Sequence, residues 1–300
     1  HTSFLDIREP RTYTSWLLCV CFDLMTAERT MSTLNPFYST GTYTGGPYTV
    51  HIGFTSRSAG NLGLHVNAGE SHTATLKNRA DVQSLCGSAP FLYLNQVHGA
   101  DIVCADHILS TQISPNDERG AYTLKRADQL REQAPQADAA YSTTGQPLAI
   151  MVADCIPLVF VGEKPTPHDV PIIAVAHAGR PGLLAGVIQR TVATMREQGA
   201  TQIHAWLGPS ICGSCYEVPE DMREHATQQI PETYAQTSQG TPALDLPAGA
   251  IALNKLKIEV STDLAACTYE STSLFSHRGF MNRGEAPGRI AGLVWVTKPS

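Results

Sequence analysis

Three residues that can ligate a metal ion each follow an apolar run of the sequence: His98, Cys155 and His177. The three runs are 91–97, 148–153 and 171–176. Each run is predicted to form a strand, and side chains at the carboxyl ends of strands collect at one edge of an open α/β sheet. Two imidazoles and one thiolate form the ligand set of a catalytic zinc ion with a fourth position open. The sequence therefore predicts a site that could activate water or polarise a substrate oxygen, and the same donors also suit copper.

A structural interpretation of these residues stays open at this point. A single His or Cys after a buried strand is more often a packed core residue than a ligand. Asp154 also has two interpretations, as the cap of a turn or helix, which we favour, or as a carboxylate that orients His98 or His177. The one C-x-x-C motif, Cys212 to Cys215, has no second such pair to complete a four-thiolate zinc site, so we interpret it as structural thiols and leave redox and metal roles open.

Charge and apolar patterning restrict the partners. The chain has 21 Lys and Arg against 27 Asp and Glu, a net charge of −6, so no overall basic field exists to hold nucleic acid or an anionic membrane. No apolar run has the roughly 18 residues that cross a bilayer. Eight cysteines spread along the chain favour a reducing, cytoplasmic setting over secretion. We expect a small-molecule substrate and a monomer or small homo-oligomer.

Strand and helix patterns alternate along the chain, which predicts an α/β or mixed α+β fold. The predicted helices are 71–86, 182–198 and 252–266, and the further predicted strands are 203–207 and 291–296. Residues 1–48 are predicted to form an irregular or non-native leader, with order starting near Val50. Residues 49–300 then form a single domain, in which the polar stretch 107–136 is a surface insertion.

Several short motifs occur in one order along the chain. They are Asn95-Gln-Val-His-Gly99, Ala137-Asp-Ala139, Ala153-Asp-Cys-Ile-Pro157, His177-Ala-Gly179, Leu207-Gly-Pro-Ser-Ile211, Tyr216-Glu-Val218 and Phe275-Ser-His-Arg278. In this order they resemble the YfiH-like family, first described as multicopper polyphenol oxidases (laccases) and later as purine nucleoside phosphorylases with adenosine deaminase activity. The resemblance covers roughly residues 50–300.

The resemblance implies a fold, a metal site and a reaction. His98, Cys155 and His177 match the family's zinc ligands and so become the expected catalytic and metal-binding residues. The implied architecture is a single-domain, four-layer α/β/β/α sandwich, related to a bacterial cysteine-deamidase toxin. The implied activity is zinc-dependent phosphorolysis of adenosine, inosine and methylthioadenosine, together with adenosine deamination.

Phosphorolysis needs an anion site, and a guanidinium suits phosphate because it donates two parallel hydrogen bonds. The candidate phosphate ligands are Arg57, Arg180, Arg278 and Arg289, while His277 is a candidate general acid. The chain departs from the family pattern at some of these positions. Arg180-Pro181 replaces a Trp-Arg pair, His277 replaces a tyrosine, and Arg289 follows Pro-Gly and not a threonine. Substrate preference is therefore less defined than the metal site.

Two other classes of protein remain as alternatives. A copper-dependent polyphenol oxidase would need several coppers and paired H-x-H motifs, and the 11 histidines of this chain form none. A non-catalytic metalloprotein or interaction module would have a closed four-ligand site, and no fourth ligand is evident near His98, Cys155 and His177.

Overall fold

Two β-sheets pack face to face in the computed structural model, which describes residues 35–66, 72–108 and 124–298. The strands are β1 (Phe37–Gly45), β2 (Tyr48–Thr55), β3 (Ile102–Cys104), β4 (Ala139–Ser142), β5 (Leu148–Val152), β6 (Ile156–Glu163), β7 (Ile172–Ala178), β8 (Gln202–Leu207), β9 (Tyr234–Gln236), β10 (Pro242–Leu244), β11 (Glu259–Ser261) and β12 (Ile290–Thr297). One sheet has four strands in the order β1-β2-β12-β5, and the other has six in the order β11-β8-β6-β7-β4-β3. Strands β9 and β10 form a separate pair.

Helices cover the outer faces of both sheets. They are α1 (His72–Cys86), α2 (Leu124–Gln133), α3 (Arg180–Leu184), α4 (Val187–Glu197), α5 (Glu220–Gln229), α6 (Leu246–Ile251) and α7 (His277–Arg283). Apolar side chains of α3, α4 and α6 share a core with the six-stranded sheet, whereas α1 packs on the four-stranded sheet through Val82. The resulting α/β/β/α sandwich confirms the expected fold.

The sandwich has its layers because the central strands are apolar on both faces. In β7, Ile173 and Val175 face the other sheet, whereas Ala174 and Ala176 face the helices. Successive side chains of a strand point to opposite faces, so an uninterrupted apolar run is what a strand buried on both sides requires. The runs predicted as buried strands therefore form β5 and β7.

Most strand pairs of the six-stranded sheet are antiparallel, whereas the open α/β sheets on which the expected site position was based are mostly parallel. β6 is antiparallel to both β7 and β8, and only the outer pairs β3-β4 and β8-β11 are parallel. An apolar run buried on both faces has the same composition in either orientation, so the sequence could not distinguish the two.

Two predicted elements at the ends of the chain were wrong. β1 lies within the stretch assigned to the irregular leader, and its alternately half-buried and exposed residues form an edge strand paired with β2. Threonine and tyrosine favour such a strand. The predicted helix 252–266 is a short 3-10 helix followed by β11, because Val260, Ser261 and Thr262 disfavour a helix.

Three other predictions required correction in detail. Segment 91–97 is extended but makes only single bridges, Leu92 to Leu148 and Asn95 to Gln136. The predicted helix 182–198 is two helices, α3 and α4, separated at Gly186, whose φ of 88° is left-handed. Helix 71–86 forms as α1, although Leu85, which was assigned to its apolar stripe, is 58% exposed.

The predicted insertion 107–136 lies in part outside the described residues. Its described end forms α2, whose Leu130 is buried against Leu64 and Leu76 of the α1 side. No helix in the described ranges has the length and apolar content needed to cross a membrane.

Candidate metal centre and cavity

Cys155 lies on the short link by which the chain passes from one sheet to the other. β5 belongs to the four-stranded sheet and β6 to the six-stranded sheet, and only residues 153–155 separate them. Asp154 takes a left-handed conformation with φ 84° in this tight link. The antiparallel register pairs Pro157 with His177, which places the start of β6, and with it Cys155, beside the end of β7.

The structure brings the three predicted ligands together. The ligand atoms of His98, Cys155 and His177 all lie within 4.8 Å of one another, and the two imidazole rings are 4.7 Å apart between centroids. His98 also has a left-handed backbone, with φ 61°. Two neutral imidazoles and one thiolate directed at one point fit a zinc or copper ion.

Asp138 is the carboxylate that orients this cluster. Its oxygens accept hydrogen bonds from the backbone N–H groups of Val97 (3.1 Å), His98 (2.9 Å) and Gly99 (2.7 Å). Oδ1 also lies 2.7 Å from Nδ1 of His177, so Nε2 of that ring is left for an ion. The side chain is fully buried. Asp138 is the central residue of the motif Ala137-Asp-Ala139, and no role was predicted for it.

The Asp154 carboxylate accepts hydrogen bonds from Thr268 and Arg278 and not from the metal-ligand candidates. Its Oδ2 accepts a hydrogen bond from the backbone N–H of Arg278 (2.7 Å), in the first turn of α7, and its Oδ1 accepts one from Thr268 Oγ1 (2.7 Å). Asp154 therefore caps a helix that is distant in sequence, which is close to the favoured interpretation, and it positions Arg278.

Cys155 and His177 perturb each other's proton affinities. Burial alone would raise the pKa of the Cys155 thiol, but the charges and hydrogen bonds of His177 and His98 outweigh burial and lower that pKa to about 6. Burial would lower the pKa of His177, but Cys155 and Asp138 raise it to about 9. The sulfur is thus held as a thiolate at neutral pH, which is the form that binds metal ions.

Close backbone packing around the cluster leaves no space for larger side chains. A Cβ atom at Gly179 would lie 2.8 Å from Cys155 Sγ and 3.0 Å from His98 Cδ2. On the other side of the cluster, the Gln96 amide donates to the carbonyl of Met151 (2.6 Å) and accepts from its N–H (2.8 Å), which fixes segment 91–98 against β5. Neither residue was assigned a function from the sequence.

The cluster opens into a cavity of about 370 Å³. Its charged or titratable lining residues, besides the three ligands, are His65, Asp154, Arg180, His277, Arg278 and Arg289, and its apolar lining includes Met151, Ile211, Met222 and Leu246. Tyr216 also lines it, and the guanidinium carbon of Arg278 lies 5.3 Å from the centroid of its ring. This volume and this mixture of apolar wall and polar groups suit a small organic ligand.

Three of the four arginines predicted as phosphate ligands line this cavity, and Arg57 does not. Arg57 donates to Glu285 (2.8 Å) and to the carbonyl of Leu274 (2.7 Å), so its guanidinium is used in joining two chain segments. For Arg289, burial lowers the pKa of a guanidinium that remains protonated at neutral pH.

His65 is a cavity residue that the sequence analysis missed. Burial, followed by the positive charges of Arg289 and Arg79, lowers the pKa of its ring to about 4. His65 is therefore neutral at physiological pH and can both donate and accept a hydrogen bond inside the cavity. No spacing pattern in the sequence distinguishes it from the other histidines.

The fold is a sandwich of one antiparallel and one mixed sheet, with a His-Cys-His cluster that lines a cavity and could hold a metal ion. A family model described as multi-copper polyphenol oxidoreductase laccase matches residues 44–297. A purine nucleoside phosphorylase of Streptomyces coelicolor is 36% identical over 259 residues, which cover 82% of this chain and 95% of that protein. The purine nucleoside phosphorylase YfiH of Escherichia coli is 31% identical over 241 residues, covering 79% and 86%.

Solved structures agree with this relationship. A Neisseria meningitidis protein shares 28% identity with a TM-score of 0.60 and covers 85% of this chain and 98% of its own. A Bacillus licheniformis YfiH protein, at 24% identity and a TM-score of 0.61, covers 82% and 92% and shows the fold alone. The chain belongs to the YfiH-like family.

Proposed function

We propose that this chain is a zinc-dependent purine nucleoside phosphorylase that also deaminates adenosine. The observation that carries the proposal is the cluster of His98, Cys155 and His177 at the floor of a cavity that also presents three arginines. The relatives named purine nucleoside phosphorylase support the reaction class. The substrates in this proposal are adenosine, inosine and methylthioadenosine with phosphate, and the products are the free base and the (methylthio)ribose 1-phosphate.

The cavity residues divide the work of phosphorolysis. Arg180, Arg278 and Arg289 bind and orient the phosphate, whose oxygen attacks the anomeric carbon as the bond from that carbon to the purine nitrogen breaks. The departing base takes up a proton, for which His277, a lining residue of the cavity, is the candidate donor. The apolar side chains and Tyr216 contact the flat purine and exclude water from it.

For deamination, a bound ion would lower the pKa of a coordinated water so that it can attack the purine carbon that carries the amine. The chain's own residues then hold the base: Asp138 keeps His177 in one orientation, while His65 and His277 provide hydrogen bonds along the cavity. A thiolate ligand must remain reduced, so the proposal includes a reducing, cytoplasmic setting. The donor set suits zinc first, and copper remains the other ion that it fits.

Product analysis on metal-defined enzyme tests the proposal. With zinc, inosine and phosphate we expect hypoxanthine and ribose 1-phosphate, formed only when phosphate is present. With adenosine and no phosphate we expect inosine and ammonia. Cys155→Ser should lose both reactions, whereas Cys86→Ser, a thiol at the end of α1, should keep them. Full turnover by Cys155→Ser would overturn the site assignment.

A copper-dependent polyphenol oxidase is the second candidate, favoured by the description of the matching family model. Oxygen consumption with a phenol, present after copper loading and absent with zinc, would support it. Against it, the described residues contain two groups of metal-capable side chains, and only two histidines belong to them. A multicopper centre that moves four electrons requires many more imidazole ligands.

A further inference from the structure

A second cluster of thiols lies outside the site described above. The sulfur atoms of Cys212, Cys215 and Cys267 are all within 4.8 Å of one another. Each side chain is half-buried, and each thiol is free. The isolated C-x-x-C motif that the sequence left without a partner therefore has a third thiol beside it in the fold.

Two neighbouring turns present these side chains. In the first, the N–H groups of Cys215 (3.1 Å) and Tyr216 (3.0 Å) donate to the Cys212 carbonyl. In the second, the N–H of Ser271 donates to the Cys267 carbonyl (3.2 Å). The turns lie side by side because Ser210 and Cys267 form a parallel bridge. The backbone thus holds the cluster in place whether or not an ion is bound.

An exposed carboxylate lies beside the three thiols, although it is not among the atoms that all lie within 4.8 Å of one another. Oε1 of Glu270 lies 3.6 Å from Cys215 Sγ. The two turns then supply donors at matching spacings, Cys212 and Cys215 from the first and Cys267 and Glu270 from the second. A rotation of the exposed Glu270 side chain would bring its carboxylate to the three thiols as a fourth donor. Such a closed set is the pattern of a structural zinc site and not of an open catalytic one.

Hydrogen-bond donors lie against two of the sulfurs. The N–H of Cys212 points to Cys267 Sγ at 3.5 Å, and the N–H of Glu270 also donates to that sulfur. The Ser214 hydroxyl lies 3.5 Å from Cys212 Sγ.

We propose that Cys212, Cys215, Cys267 and Glu270 bind a second zinc ion with a structural role. This ion would join the turn 212–215 to the segment 267–270. Ile211 and Tyr216 stand directly beside the first turn and line the cavity, so the ion would fix one wall of the substrate site. The inference does not depend on which reaction the cavity supports.

Zinc stoichiometry under reducing conditions tests the second site. Wild-type protein, dialysed against metal-free buffer with a thiol reductant and reloaded, should retain about two zinc ions per chain by elemental analysis. Cys267→Ser and Cys155→Ser should each retain about one, and the double variant none. Cys86→Ser is the matched control and should retain two. One zinc in the wild type that Cys155→Ser abolishes would overturn the proposal.

Cobalt substitution distinguishes the two sites spectroscopically. Thiolate-to-cobalt charge-transfer absorption grows with the number of thiolate ligands, so the three-thiolate site should dominate the near-ultraviolet spectrum. Cobalt-loaded Cys155→Ser should keep most of this absorption, and cobalt-loaded Cys267→Ser should lose most of it. An unchanged spectrum in Cys267→Ser would overturn the assignment.

Glu270→Gln provides a variant that leaves all the thiols in place and is exposed enough to fold normally. It should release the second zinc to a chelator at least tenfold more readily than wild type, with release from the first site unchanged. Peptide mapping without reductant tests the alternative, which is a disulfide between two of the three thiols. A Cys212 to Cys267 or Cys212 to Cys215 disulfide in protein purified under reducing conditions, with no second zinc, would replace the metal site by a redox pair.

Discussion

Asp138 determines the position of two of the three ligands in the His-Cys-His cluster. It holds the His177 ring at 2.7 Å and accepts the N–H of His98 at 2.9 Å while entirely buried. An asparagine amide cannot accept all of these hydrogen bonds. We therefore expect Asp138→Asn to weaken zinc binding by roughly 10–100-fold.

Chelator competition on the purified variant measures this change. Asp169→Asn, which alters an exposed carboxylate elsewhere on the chain, is the matched control and should bind zinc like the wild type. Equal zinc affinity for Asp138→Asn and wild type would show that the ring and the loop hold their positions without this carboxylate.

Gly179 is limited by space and not by backbone conformation. Its φ of −72° is open to alanine, but the added methyl would lie 2.8 Å from Cys155 Sγ. We expect Gly179→Ala to fold, with a stability loss of roughly 1–3 kcal/mol from overpacking. It should also lose most of its zinc at the His-Cys-His cluster. Elemental analysis and thermal unfolding check both results, and full zinc retention would contradict the steric argument.

At the scale of elements, Asp106 joins the end of β3 to the turn after β4. Its carboxylate accepts hydrogen bonds from Ser142 Oγ (2.6 Å), from both the N–H (2.8 Å) and the hydroxyl (2.7 Å) of Thr143, and from Thr144 Oγ1 (2.8 Å). Burial raises the pKa of this carboxyl, but the four hydrogen bonds outweigh burial and lower it.

The direction of this shift predicts a pH dependence. Because the folded pKa lies below the unfolded value of about 4, the stabilisation is present at neutral pH and is lost as pH falls through the folded pKa. Asp106→Asn should lower the free energy of unfolding by roughly 1–2 kcal/mol at pH 7, a figure that already allows for partial solvent exposure of the carboxylate. The difference in unfolding free energy between the variant and the wild type should become smaller below about pH 4. Urea unfolding at several pH values measures it, with exposed Asp101→Asn as the control; a pH-independent difference would contradict the assignment.

The sequence predicted the elements that carry the ligands better than their arrangement. The apolar runs predicted as strands became β5 and β7, because burial on both faces leaves a clear compositional signal, and Cys155 and His177 lie at the ends of these strands. The same signal does not depend on strand direction, so the sequence did not reveal that β6 is antiparallel to both of its neighbours. The role of Asp138 was missed for a related reason, since distance along the sequence does not reveal which carboxylate is adjacent to the ligands in space.

At the scale of the whole molecule, the three ligands lie at positions 98, 155 and 177 and connect segments that are distant in sequence. An ion that binds only the folded arrangement stabilises the fold, by about 4 kcal/mol when free zinc is a thousandfold above its dissociation constant. We expect zinc removal to lower the unfolding temperature. In the Cys267→Ser variant, the zinc-dependent change in unfolding temperature comes from the His-Cys-His cluster alone. Adding Cys155→Ser to this variant should abolish that change. An unfolding temperature that does not respond to zinc would contradict a shared site.

The link at residues 153–155 crosses from one sheet to the other, and segment 91–99 likewise runs from β5 to Asp138 at the start of β4. The separation of the two sheets, which the apolar side chains between them determine, therefore affects the distances between the three ligand atoms. Trimming a fully buried residue of that layer, such as Val159, would alter the distances between donor atoms without touching any of them. Ion preference among chains with the same three ligands is then expected to vary with the volume of the side chains between the sheets.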